Sequence, residues 1–212
     1  MNLKNYEFEE SYINVPDSLA VEFYKPALNR SIEYKRLVAY FTSSAFALFN
    51  IPLRKFINKG GKLRFILSHH VTEEDYEAIR EGYDSRIKNN IDKNINDFIE
   101  DNPSNSKYIK LLTYLIENNH LEVKIAFTQN PSGLVHLKRG IFRDIDNNYI
   151  AFSGSSNETF MGLSEKGNHD DVEIYCSWKS KDKSRSERHN DDFENYWNNN
   201  KEPLKVIDFP DV

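Results

Sequence analysis

Residues 135–142, VHLKRGIF, decide how this chain is read. Val135, Leu137, Ile141 and Phe142 make the run apolar, yet it holds His136 and Lys138 in its middle. On a strand, successive side chains point to opposite faces, so His136, Lys138, Gly140 and Phe142 share one face. Burying an unpaired imidazole and an ammonium costs a few kcal/mol each, roughly. That face is therefore open to water, or it is a site.

Reading downstream, DIDNN (144–148) has the composition of a hairpin turn, and NYIAFSG (148–154) is the return strand. GSSNET (154–159) follows it. A turn after the return strand lies at the end where the outgoing strand began, so the H-x-K pair and the Gly-Ser-Ser-Asn turn are expected to meet in space. Imidazole, ammonium, hydroxyl and carboxamide at one point suit a phosphate group: a nucleophile, a fixed positive charge and neutral donors to non-bridging oxygens.

Upstream, LVAYF (37–41) reads as a strand, with Ser43 and Ser44 positioned to cap a helix. Phe46, Phe49, Leu53 and Phe56 recur at helical spacing; Pro52 kinks or splits that helix and Gly60-Gly61 ends it. KLRFILS (62–68) is a second strand. Thr72 to Asp75 forms a capping box for a helix that Gly82 is expected to stop. Ile87, Ile91, Ile95 and Phe98 mark a polar helix ended by Pro103, and Ile109, Leu112, Leu115 and Ile116 mark another. LEVKIAFT (121–128) and VEIYCSW (172–178) are strands, and Phe193, Tyr196 and Trp197 form the apolar face of a last helix. Alternating strands and helices predict an α/β fold: an α/β/α sandwich of three layers on a mixed central sheet of about six or seven strands, with His136 and Lys138 on a central one. Residues 1–200 are expected to be one domain, and 201–212 a tail, a linker to a further domain, or a docked extension.

The bounds agree with a globular domain. The chain has 212 residues and a formal net charge of -5, which argues against a uniformly basic binder but allows a local basic groove. Cys176 is the single cysteine, so no internal disulfide is possible. The first residues carry no apolar signal core, and no apolar run nears the roughly 20 residues that span a bilayer. A soluble cytoplasmic protein without membrane contact is the expectation.

H-L-K followed by G-S-S-N resembles the HKD motif of the phospholipase D superfamily, written HxK, four residues, Asp, six residues, GSxN. His136, Lys138, Gly154, Ser155 and Asn157 match it. Arg143 stands at the Asp position, with Asp144 one step later, and the histidine-to-glycine spacing is longer by four residues. The flanking segments, over roughly residues 35–200, look like the single-motif nuclease domains that precede helicase-type ATPases in bacterial restriction and repair proteins, and like metal-independent restriction endonucleases of this superfamily. The resemblance implies a phospholipase D-like fold and a phosphodiesterase that acts as an endonuclease, with DNA preferred to RNA. It implies no metal and no cofactor. His136 attacks phosphorus to form a phosphohistidine while a second histidine protonates the leaving oxygen. With one HxK per chain, the second histidine comes from another copy, in a homodimer with a shared site. Lys138, Ser155 and Asn157 complete the catalytic set. Glu173 is the candidate downstream carboxylate that orients the imidazole. Ser156, Lys124 and Arg139 are candidates for substrate binding, although Arg139 and Arg143 lie on the face opposite His136 if the strand is regular. A fused or associated helicase or ATPase is a further implied partner.

Two other readings stand beside this one. Glu122 and Lys124 form the E-x-K half of a metal-dependent nuclease pattern, though no upstream Asp completes it. The missing motif Asp allows an inactive phosphate-binding or nucleic-acid-binding interaction module. A lipid phosphodiesterase ranks below both, since no amphipathic membrane-facing helix is evident. His69 and His70 follow a strand end, where parallel sheets place ligands, but read as a solvated loop. The acidic pairs at 170–171 and 191–192 read as surface charge.

Overall fold

The apolar run at 37–41 begins in the middle of an eight-stranded sheet. A computed structural model describes residues 2–87, 105–130 and 133–209. The strands are β1 (Ser11–Ile13), β2 (Glu33–Val38), β3 (Lys62–Ser68), β4 (Leu121–Thr128), β5 (Arg139–Arg143), β6 (Tyr149–Gly154), β7 (Asp171–Cys176) and β8 (Leu204–Asp208). They stand in the order β1-β7-β6-β5-β2-β3-β4-β8. β2, β3 and β4 are parallel, while β5, β6 and β7 form an antiparallel meander joined antiparallel to β2. The expected mixed sheet is therefore present.

Helices cover both faces. On one side α1 (Lys25–Arg30), α2 (Asn50–Asn58), α3 (Glu73–Ile87) and α4 (Asn105–Glu117) pack on Tyr34, Phe65, Val123, Phe142 and Phe152. On the other, α6 (Lys183–Trp197) lays Phe193, Tyr196 and Trp197 on Leu37, Ile66, Ala126, Ile141 and Ala151. The short α5 (Phe160–Leu163) follows the Gly-Ser-Ser-Asn turn. On the α6 side, Lys35 is almost fully buried between Glu33 (3.1 Å) and Glu194 (2.6 Å), and Arg64 bridges the same two carboxylates. These ion pairs fasten α6 to the sheet.

Several expectations need correction. The sheet has eight strands, two more than the six segments read as strands: the edges β1 and β8 are short and are held by backbone pairing to β7 and β4. Residues 204–208 pair antiparallel with β4 as the edge strand β8. Gly82 does not stop α3. It lies where α3 crosses α4, and a Cβ there would stand 2.8 Å from the Ile116 Cβ, so the glycine permits close helix contact. The run from Ser43 to Phe49 is 3-10 helix, and α2 starts just after it, ahead of Pro52. The helix expected through Ile91, Ile95, Phe98 and Pro103 lies outside the described residues.

Asp144 is buried at the hairpin turn. Its Oδ1 accepts from the backbone of Asp146 (3.0 Å) and Asn148 (2.9 Å), and its Oδ2 from Leu3 N (2.9 Å). Arg143, in the motif's Asp position, pairs with Glu33 at 3.0 Å. Asp144 shapes the turn at the end of the hairpin away from His136.

Candidate active site

His136 and Lys138 are not on a strand, contrary to expectation: β5 starts at Arg139, and residues 133–138 approach it as irregular chain. The alternation survives nonetheless. Val135 and Leu137 pack with Ile141 on the α6 side, so His136 and Lys138 turn to the face of Gly140 and Phe142. Arg139 is opposite Leu37, which sets Lys138 over the C-terminal end of β2. Gly154 N donates to Lys138 O at 3.3 Å, so the Gly-Ser-Ser-Asn turn begins directly beside it.

The His136 side chain is exposed and Lys138 is buried. Lys138 Nζ lies 3.1 Å from His136 Nδ1, 3.0 Å from Nε2 and 3.1 Å from His136 O. Burial and the nearby Arg36 guanidinium hold the Lys138 pKa below the usual lysine value, and Asp170 opposes them. Asn157 accepts from Tyr40 N through Oδ1 (3.2 Å), which aims the carboxamide and leaves its NH2 without a protein partner among the described residues. Ser155 Oγ donates to Asp170 Oδ1 at 2.6 Å and accepts from Asp171 N at 3.1 Å. Asp170 Oδ2 is buried with no hydrogen-bond partner among the described residues.

Beneath this layer Arg36 and Glu158 are both fully buried. Arg36 Nε donates to Glu158 Oε2 at 2.9 Å, Arg36 Nη2 donates to Ser156 O at 2.6 Å, and Tyr34 OH donates to Glu158 Oε2 at 2.9 Å. The Glu158 backbone donates to Tyr40 O and accepts from Thr42 N. The turn is thus tied to the end of β2 by charge and by main chain. Gly140 lies opposite Arg36, and the Phe152 ring fills the space where its Cβ would stand; the guanidinium sits 5.2 Å from that ring's centre.

Sequence reading named His136, Lys138, Ser155 and Asn157, and the fold gathers all four around one end of the sheet. Four other candidates fall elsewhere. Glu173 pairs with Ser153, which pairs with Arg139, so it faces the α6 side and accepts from Tyr175 OH at 2.7 Å. Lys124 also faces α6, bonded to Trp197 O (3.1 Å) and paired with Asp208 (3.0 Å). Arg139 is paired with Asp192 of α6 at 2.9 Å. Ser156 is fully buried, and its hydroxyl donates to Gly162 O at 2.8 Å, so it shapes the turn. Sequence reading missed Asp170, Arg36, Glu158 and Tyr40. Asp170 had a signal: it immediately precedes β7, whose Val172 pairs with Gly154, so it had to fall at the same end as the turn. Among the described residues, no group of three or more His, Cys, Asp or Glu is placed to hold a metal ion, and no helix is long and apolar enough to cross a membrane.

No protein-family model matches this chain, and no curated protein sequence matches it. Solved structures do. The phospholipase D family member Nuc from Salmonella typhimurium superposes with a TM-score of 0.49 at 13% identity, covering 94% of this chain and 99% of that one. NucT from Helicobacter pylori gives 0.46 at 16% identity, over 87% of this chain and 97% of that one. Phosphatidylserine synthase from Haemophilus influenzae Rd KW20 gives 0.48 at 10% identity, over 95% of this chain and 40% of that one.

Proposed function

We propose that this chain is a metal-independent phosphodiesterase that cleaves nucleic acid, DNA in preference to RNA, through a phosphohistidine on His136. The observation that carries the reading is an exposed imidazole in contact with a buried ammonium, next to a turn whose Asn157 carboxamide has no partner for its NH2 among the described residues. In the first step a His136 ring nitrogen bonds to phosphorus as one P–O ester bond breaks. The departing oxygen takes a proton from a second histidine. In the second step that histidine removes a proton from water, the resulting hydroxide attacks phosphorus, and the P–N bond breaks to return His136. Lys138 and the Asn157 NH2 hold non-bridging oxygens, and their charge and dipoles count most where negative charge builds up. In this reading Asp170 replaces Glu173 as the orienting carboxylate: its Oδ2, buried and without a hydrogen-bond partner among the described residues, would accept the N–H of the ring nitrogen that does not attack.

One histidine cannot stand on both sides of one phosphorus, so the second comes from His136 of a second copy across a two-fold axis. In the same reading the chain serves a restriction or repair system alongside a fused or associated helicase-type ATPase. The metal-dependent reading loses its lysine, since Lys124 is tied to Asp208 and Trp197.

Plasmid cleavage in excess EDTA tests the proposal. Cleavage that persists in EDTA and is abolished by His136→Ala is expected. Cleavage that needs a divalent cation would sink it, and no cleavage of DNA or RNA under any condition would favour the inactive binding module.

A further inference from the structure

His69 and His70, beyond the end of β3, belong to a row of rings. Tyr40 lies 6.0 Å from His70, His70 lies 4.3 Å from His69, and His69 lies 5.8 Å from Phe127 with only 6° between the two planes, all centre to centre. Tyr40 is 42% exposed, both histidines are exposed, and Phe127 is half-buried. Register explains the row. Ser68 pairs with Ala126, so the next residues, His69 and Phe127, stand side by side at the tops of β3 and β4. Val38 pairs with Leu67, and Phe41 bridges Val71, so Tyr40 falls beside His70 at the top of β2. Neighbouring strands are about 4.8 Å apart, and side chains at their tips inherit that spacing.

The row starts at the candidate site, because the Tyr40 backbone holds the Asn157 carboxamide. It ends beside Lys205, which pairs with Phe127 in the β4–β8 register, is exposed, and forms no ion pair among the described residues. A phosphate site, a line of solvent-reaching rings and an ammonium without an ion pair among the described residues suit an unpaired strand: phosphates take charge, and bases take π-faces. Bases stacked within a duplex cannot reach such rings.

Resting on the nucleic-acid reading above, we infer that Tyr40, His70, His69 and Phe127 form a stacking track for unpaired bases, leading from the His136–Lys138–Asn157 site towards Lys205. The substrate class is then single-stranded nucleic acid, or a duplex with a single-stranded flank.

Binding tests this without any need for cleavage. The full chain carrying His136→Ala is titrated, in EDTA, into three fluorescein-labelled probes: a 12-nucleotide DNA single strand, the same backbone without bases, and the corresponding duplex. The single strand is expected to bind at least about tenfold more tightly than the abasic strand. Adding His70→Ala should remove about tenfold from single-strand affinity and leave abasic binding unchanged, while His70→Phe, which keeps a ring, should retain it. Lys205→Gln should weaken both strands and lower the salt slope by roughly 0.7. Equal affinity for the strand with and without bases, or an alanine variant that leaves their ratio unchanged, would overturn the track. A chain that discriminates between the strands but never cleaves would uphold the track and overturn the phosphodiesterase, so the two failures are distinguishable.

Discussion

Arg36 Nε donates to Glu158 Oε2 across 2.9 Å, with both side chains at 0% exposure. This pair lies beneath the Gly-Ser-Ser-Asn turn, where Arg36 also holds Ser156 O and Glu158 is additionally held by Tyr34. Ionising either residue alone in that position is expensive, and breaking such a pair from one side costs about 3–5 kcal/mol. Glu158→Ala and Arg36→Met are each expected to lose stability of that order in urea unfolding. The double variant Arg36→Met, Glu158→Leu should recover a good part of it, because no charge is then left unpaired. A double variant as unstable as the sum of the singles would show that the two residues contribute independently.

Asp170 and Glu173 are three residues apart in sequence but face different surroundings. Asp170 joins Ser155 and Lys138, whereas Glu173 faces the α6 side with Tyr175. If Asp170 orients the histidine, Asp170→Asn should lower kcat by about 10²-fold or more while moving KM little. Glu173→Gln should leave both within a factor of two or so, since a surface carboxylate contributes little. A large kcat loss in the Glu173 variant and none in the Asp170 variant would reverse the assignment.

The proposed shared-site dimer would have a kinetic signature. Wild-type chain mixed with an excess of His136→Ala chain should lose activity beyond simple dilution, because each mixed dimer lacks either the nucleophile or the acid. Such a dimer should bury roughly 1,000 Å² or more. Full activity per wild-type chain in that mixture, or cleavage by a chain that sediments as a monomer, would place the second acid elsewhere.

His189 gives a stability switch with acid. Its ring is buried against Tyr175, and burial, reinforced by the Arg139 and Arg188 charges, lowers its pKa to about 4 from an ordinary 6.5. Between those values the unfolded chain takes up a proton that the folded chain refuses. The stability that follows is complete above pH 6.5 and is lost as the pH falls towards about 4. His189→Phe keeps a ring and removes the titration, so its unfolding free energy should fall less than that of the wild type between pH 7 and 4.5. Parallel pH profiles for the two proteins would contradict this.

The hairpin, the mixed α/β fold and the convergence of His136, Lys138, Ser155 and Asn157 at one sheet end were legible along the chain. Those features are local: a two-residue alternation through residues 135–142, turn residues at 144–148, and a small polar turn whose place is set by the strand that enters it. Short-range sterics and hydrophobic periodicity act over a few neighbours, so they can be read from neighbours. The tertiary structure alone decided which carboxylate joins the site, which cations are spent on α6, and which rings line up across three strands. Asp170 rather than Glu173, Lys124 bound to Asp208, and His69 beside Phe127 all follow from strand register, which pairs residues far apart in the chain. A shift of one residue in any of those pairings would send the same side chains to the other face, and the short edges β1 and β8 become strands only by pairing with β7 and β4.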